Sequence, residues 1–148
     1  FSYGQARALA AEGCVLRDDP DELIVRIDEV VVWMDRYAFP SARAMEGFYR
    51  HWAQHRRNPA LEHARGMHDA LLAKNALGEH WRDSVHLAAM ASAYLDCGAF
   101  DAARECLDAA FAHAARTGER YCARRFASSC AARQCTILAC RQHAPCRW

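Results

Sequence analysis

The stretch ASAYLDCGAFDAA, residues 91–103, decides how this chain folds. Its first half is rich in alanine, which has the strongest intrinsic preference for helix. Gly98 then interrupts the pattern, because glycine is the residue that most often follows the end of a helix. A second helix-favouring segment follows, and its apolar residues recur at helical spacing: Phe100, Ala103, Leu107, Ala110, Phe111 and Ala114. The stretch therefore predicts two helices joined by a tight turn at Gly98.

Similar breaks divide the rest of the body into helices of nearly equal length. Proline or glycine interrupts helix-favouring sequence at 19–20, 39–40, 58–59, 76–78, 97–98 and 117–118. These breaks predict helices over residues 3–17, 21–37, 42–56, 60–76, 81–97 and 100–116. Because the apolar residues within each segment follow the helical period rather than strict alternation, the prediction is an all-α fold.

The breaks also recur with a fixed period. Pro20, Pro59 and Gly98 are each 39 residues apart. The same offset aligns two further sets of positions: Arg26, Arg65 and Arg104, and Trp33, Leu72 and Phe111. A period of this size is typical of helical-hairpin repeats, in which neighbouring hairpins must stack to bury their apolar faces. Three hairpins are predicted, over residues 3–37, 42–76 and 81–116.

The quoted stretch resembles the tetratricopeptide pattern, in which small residues let two helices approach and aromatic residues fill the space between hairpins. Seven positions match that pattern: Ala91, Tyr94, Gly98, Phe100, Ala103, Leu107 and Ala110. The resemblance implies antiparallel hairpins stacked as a short right-handed solenoid, whose first helices line a concave surface. Those helices would offer four candidates for a binding groove: Tyr49, Arg56, Ser92 and Asp96. We also expect partial exposure of Trp52.

Three further segments resemble one region of a larger family. RDDP at 17–20, DRYAFP at 35–40 and RTGERY at 116–121 look like recurring segments of the C-terminal tetratricopeptide-like array of large bacterial signalling ATPases. Those proteins join the array to an ATPase core and to an adenylate/guanylate cyclase or LuxR-type DNA-binding domain. The resemblance covers most of residues 8–121 and implies a fragment of a cytoplasmic signal-transduction protein. The chain departs from the repeat pattern in its period, which exceeds the usual 34 residues.

The last part of the chain differs from the body in charge and in cysteine content. The formal net charge is +1. However, residues 1–119 contain 13 basic and 18 acidic residues, whereas residues 120–148 contain six arginines and no acid. Five of the eight cysteines also lie in this last part. We therefore divide the chain into a tetratricopeptide-like segment, 1–121, and an atypical Cys/Arg-rich tail, 122–148.

The tail has four competing explanations. Its cysteines lack the C-x2-C pairs typical of zinc sites, and a disulfide framework does not suit a cytosolic body. Its arginines suggest a nucleic-acid arm, but lysine is absent and aromatic residues are scarce, so nucleic-acid binding is not favoured for this segment. We place first a shifted reading frame, because one permitted choice of codons from Arg124 onward restores an acidic, leucine-bearing helix.

Histidines supply the main alternative to a simple repeat. His51 and His55 are four residues apart on one predicted helix, and His63 and His68 lie on the next. Two facing helices can bring imidazoles together around a metal, so this alternative predicts that the four rings converge. Because no H-E-x-x-H motif accompanies them, we expect ordinary surface histidines and no metal site.

Catalytic signatures do not occur in the sequence. Neither Gly-rich phosphate-binding motif is present, and no serine lies in G-x-S-x-G. The acids at 18–22 precede a predicted helix, where they are expected to cap its free N–H groups. No apolar run is long enough for a membrane span. The prediction is therefore a non-catalytic, cofactor-free module that binds a protein, a peptide or other domains of its parent chain. Such a module should show an exposed polar-aromatic groove and no buried charged cluster.

Overall fold

The computed structural model describes residues 3–37 and 40–118, and in these ranges the chain is entirely α-helical, without strands. The helices are α1 Tyr3–Arg17, α2 Pro20–Tyr37, α3 Pro40–Arg57, α4 Leu61–Ala76, α5 Asp83–Asp96 and α6 Phe100–Thr117. The all-α prediction is confirmed, and the predicted boundaries agree with these to within two residues. The Cys/Arg-rich tail at 122–148 lies outside the described residues. No helix in the described ranges has the length and apolar character needed to cross a bilayer.

Local chemistry explains where the helices begin and end. Asp19 caps α2, since its Oδ1 accepts a hydrogen bond of 3.0 Å from the backbone N–H of Glu22. The capping role predicted for the acids at 18–22 is thereby confirmed for Asp19. Between α5 and α6, Gly98 has a φ of +71°, a left-handed conformation that glycine adopts without steric cost. The N–H of Ala99 then donates to the carbonyl of Tyr94 at 2.9 Å, which closes the turn.

Helices α2 and α3 pack antiparallel to each other. On α2 and α3, Arg50 pairs with Asp28 at 2.8 Å, while Arg57, further along α3, pairs with Asp21, earlier in α2. The partner of the later α3 residue lies earlier in α2, so the two helices run in opposite directions. Each helix also packs against the next one along the chain, and α3 additionally contacts α5. The residue ranges of the three predicted hairpins correspond to α1–α2, α3–α4 and α5–α6.

The three hairpins share one hydrophobic core, which runs from Ala11 in α1 to Leu107 in α6. They are also joined by a contact that skips the middle hairpin, because Glu12 in α1 forms an ion pair with Arg82 at the start of α5. A strictly linear stack, in which each repeat contacts only its neighbours, has no such contact. The right-handed solenoid arrangement stays a prediction.

Most of the seven positions matched to the repeat pattern are buried. The buried ones are Ala91, Tyr94, Ala103, Leu107 and Ala110, and Gly98 forms the turn. Phe100 differs from the expectation, since its side chain is 48% exposed. Phe100 is the first residue of α6. The first buried residue of that helix, Ala103, lies about one turn later. Trp52 also differs, because it is only 5% exposed and belongs to the shared core rather than to the surface.

Candidate functional site

Arg56 joins all three hairpins at one edge of the molecule. It lies in the last turn of α3, and its guanidinium forms ion pairs with Asp18, between α1 and α2, and with Asp96, the last residue of α5. The Arg56 Nη1 to Asp96 Oδ2 distance is 3.5 Å. Two of the four predicted groove residues, Arg56 and Asp96, are therefore in direct contact.

Ser92 lies on the same side of α5 as Asp96, because residues four apart on a helix are neighbours on its surface. Ser92 is half-buried. The side chains of Arg56 and Asp96 are 28% and 20% exposed to solvent. We call Asp18, Arg56, Ser92 and Asp96 the Arg56 cluster. It presents a guanidinium joined by ion pairs to two carboxylates, together with the half-buried hydroxyl of Ser92.

His55 is buried next to the Arg56 cluster. Its ring is buried, with Nδ1 3.4 Å from the N–H of Ala60 and Nε2 3.5 Å from Asp96 Oδ2. Ala60 is the residue that precedes α4, and its backbone N–H donates to His55 Nδ1. This histidine therefore contacts the turn between α3 and α4 on one side and lies next to the Asp96 carboxylate on the other, where its Nε2 forms no hydrogen bond within the described residues.

The other histidines of the metal alternative are divided between two environments. The rings of His51 and His63 face each other across α3 and α4, with centroids 6.0 Å apart. His68 is exposed on α4. Within 3–37 and 40–118, no three side chains of His, Cys, Asp or Glu are grouped so that they could hold a metal ion.

Tyr49 does not lie on an open surface, in contrast to the predicted groove. Its side chain is 4% exposed and faces the buried Glu12 carboxylate and the Arg82 guanidinium. His86 completes this group, with Nε2 3.8 Å from Glu12 Oε1. We call Glu12, Tyr49, Arg82 and His86 the Glu12 cluster. Because α1 reaches α5 at this point, the space between the first helices is filled by the chain itself.

Two members of the Glu12 cluster, His86 and Tyr49, have strongly shifted pKa values. Burial lowers the pKa of His86 well below its usual value, and the cations of Lys74 and Arg82 lower it further. Burial also raises the pKa of Tyr49 well above its usual value, with a second contribution from Glu12. Both rings are therefore neutral near pH 7, next to an ion pair whose carboxylate is engaged by Arg82.

A second buried ion pair joins α4 to α5. Lys74 Nζ lies 2.6 Å from Asp83 Oδ1 and donates to the carbonyl of Trp81 at 2.9 Å. Lys74 and Asp83 are both buried, as is Glu12 in the first pair. The expectation of no buried charged cluster is therefore wrong. Each of these charges has an oppositely charged neighbour, and both pairs lie where helices meet.

None of the residues of the two buried pairs was predicted as a buried charge from the sequence. A signal was present for Glu12, which is the only acidic residue of α1 and lies on its apolar side between Ala11 and Cys14. His86 likewise stands in a run of apolar residues in α5. The partners Lys74, Arg82 and Asp83 carry no comparable signal, because polar residues near helix ends are common on protein surfaces.

Comparisons of the chain with protein-family models, with curated proteins and with solved structures gave no match.

Proposed function

We propose that this chain is a non-catalytic interaction module that binds a peptide segment, or an exposed segment of a neighbouring domain, at the Arg56 cluster. The observation that carries the proposal is the position of Arg56, which is partly exposed and is held between the carboxylates of Asp18 and Asp96. A guanidinium fixed in this way is oriented before a ligand arrives, which reduces the entropy lost on binding.

The chemistry of the cluster suits a peptide. Arginine has five N–H donors in a rigid fork, and the carbonyl and carboxylate groups of a peptide accept from them. Ser92 adds a hydroxyl that both donates and accepts. Asp96 offers a carboxylate for the N–H groups of the ligand. In the Glu12 cluster the pKa values of Tyr49 and His86 are strongly shifted, but its buried side chains are closed to a substrate.

The parent protein proposed here is a large bacterial signalling ATPase of the cytoplasm, in which the module relays binding of a partner to a cyclase or DNA-binding output domain. The support is the resemblance of RDDP at 17–20 and RTGERY at 116–121, together with the succession of helical hairpins. Sequencing the locus in all reading frames tests this parentage. We expect an ATPase core in frame upstream and a continued helical array in another frame beyond residue 124. An intact frame with no ATPase nearby would contradict it.

Selection from a peptide library displayed on phage tests the binding proposal. The full chain is the bait, and Ser92→Arg, which places a long cation over the Arg56 cluster, serves for counter-selection. We expect peptides that are enriched on the wild-type chain and lost on Ser92→Arg. The matched control is Gln54→Arg, an exposed position on α3 two residues from Arg56, which should retain the peptides. Failure to enrich any peptide on the wild-type chain would refute binding at this cluster. Equal enrichment on the wild-type chain and on Ser92→Arg would refute it as well.

A further inference from the structure

Large apolar side chains are exposed at matching positions of α4 and α6. On α4, Leu61 and Leu72 are 36% and 57% exposed, and on α6, Phe100 and Phe111 are both 48% exposed. Within each helix the two side chains are eleven residues apart, or about three turns, so they lie on one side of the helix. Large aromatic side chains left in water are costly and commonly mark interaction surfaces.

Charged residues lie between these apolar side chains, again at matching positions. The α4 strip consists of Leu61, Arg65, Asp69 and Leu72, and the α6 strip consists of Phe100, Arg104, Asp108 and Phe111. The four charged residues are all exposed. Each member of the α6 strip stands 39 residues after its counterpart in the α4 strip, which is the period of the hairpins.

The order of residues along a strip makes it complementary to itself. Read in one direction the order is apolar, basic, acidic, apolar, and read in the other it is apolar, acidic, basic, apolar. When two copies of a strip pack antiparallel, apolar ends therefore meet apolar ends, and each arginine approaches an aspartate of the other copy. A two-fold dimer has this property, since the same surface is used on both subunits.

Arg104 is available for such a contact. Its side chain is 69% exposed, and its ion pair within the chain, with Asp101, is long at 3.9 Å. Exposed pairs of this kind contribute little to stability, so little is lost when the guanidinium turns to another carboxylate. Of the two strips, that of α6 has the larger apolar anchors, because phenylalanine buries more surface than leucine at an interface.

We propose that a second copy of this chain docks on the α6 strip, with the two α6 helices antiparallel about a two-fold axis. Phe100 packs against the partner's Phe111, and Arg104 pairs with the partner's Asp108. This surface is distinct from the Arg56 cluster and does not depend on peptide binding there.

Sedimentation velocity of the full chain over a range of concentrations, under reducing conditions, tests the proposal. We expect a monomer–dimer equilibrium and, for Phe111→Glu, a dimer dissociation constant raised by at least about tenfold. Leu72→Glu, the matched change on the α4 strip, should leave the dimer intact. Helix content from circular dichroism checks that each variant is folded. A chain that is monomeric at all concentrations, or a dimer that survives Phe111→Glu but not Leu72→Glu, would overturn the proposal.

A charge exchange provides the second arm of the test. Arg104→Glu places two acids opposite each other in the dimer and should weaken it, whereas Arg104→Glu combined with Asp108→Arg restores opposite charges and should recover dimerisation. If the double variant is as weak as the single one, the antiparallel pairing is wrong. A higher assembly that is unaffected by any of these changes would point to a different surface and would equally refute it.

Discussion

His86 shows how a single buried side chain can couple the stability of this fold to pH. Its ring is packed edge-on against Phe48, with ring centroids 5.0 Å apart, and neither ring nitrogen has a hydrogen-bond partner within the described structure. Charged or titratable groups face it from four sides: Glu12 on α1, Tyr49 on α3, Lys74 on α4 and Arg82 before α5. Because Arg82 engages the carboxylate, a proton on His86 would add a cation to a buried site that already holds two.

We therefore expect the chain to lose stability on mild acidification. The pKa of His86 is lowered in the folded state, so the unfolded chain binds the proton more readily. Its contribution is complete above the unfolded value of 6.5 and declines as the pH falls below it. Between pH 7.5 and pH 5.5 the loss from this one group is at most about 1.4 kcal/mol, the limit reached when the ring stays neutral in the folded chain.

Urea unfolding at the two pH values measures this loss. His86→Phe should remove most of the difference, while His68→Gln, a change at an exposed histidine of α4, should retain it. An unchanged pH dependence in His86→Phe would contradict the assignment of the effect to this ring.

Gly66 allows the close approach of α3 and α4. A Cβ atom built on Gly66 would lie 2.5 Å from the ring of His51, which is closer than packed atoms tolerate. Alanine at this mid-helix position gains about 1 kcal/mol of helix propensity but costs about 1–3 kcal/mol through overpacking. We expect Gly66→Ala to be destabilising in the wild-type chain and stabilising in a His51→Ala background.

A double-mutant cycle of thermal or urea unfolding tests this reversal of sign. The same sign in both backgrounds would show that the His51 ring is not what keeps position 66 free of a side chain.

At the scale of the helices, local signals were sufficient to predict where each element begins and ends. Asp19 and Gly98 act on their own neighbouring backbone, so their effect can be recognised from a few residues of sequence. The Glu12–Arg82 pair joins residues 70 positions apart, and no local pattern indicates it. This is why Tyr49 was predicted to line an open groove, although its side chain is buried next to that pair. Arg56 and Asp96 differ from Tyr49 in this respect, because both were predicted as groove residues and their side chains are in contact.

The two arginines that join the first and third hairpins should differ greatly in their effect on stability. The side chains of Arg82 and Arg56 are similarly exposed, at 30% and 28%, but Glu12 is 2% exposed whereas Asp18 is 56% exposed. Removing one partner of a buried pair strands a charge and costs about 3–5 kcal/mol, whereas exposed pairs contribute up to about 1 kcal/mol. Arg82→Met should therefore be several-fold more destabilising than Arg56→Met.

The free energies of unfolding of these two variants provide the measurement, and each is the control for the other. Equal losses would mean that the contact between α1 and α5 is not an energetic link between the hairpins.

At the scale of the whole molecule, the link between α1 and α5 changes which surfaces a partner can reach. Around Glu12 the buried side chains leave no open surface between α1 and α5. The two surfaces proposed for partners lie elsewhere: the Arg56 cluster, where three hairpins meet, and the α6 strip of the last hairpin. The periodicity of the sequence predicted the alignment of Leu72 with Phe111, but it did not predict that both side chains face solvent.

The most direct test of the interaction module is a calorimetric titration of an enriched library peptide into the full chain and its variants. We predict that Arg56→Ala weakens binding by at least about tenfold, because a pre-oriented charged donor is lost, and that Gln54→Ala leaves the affinity unchanged. Since Arg56 pairs with an exposed carboxylate, the Arg56→Ala chain should remain folded, which separates lost binding from lost structure. Equal affinity for the wild-type chain and Arg56→Ala would contradict the assignment of the binding site to the Arg56 cluster.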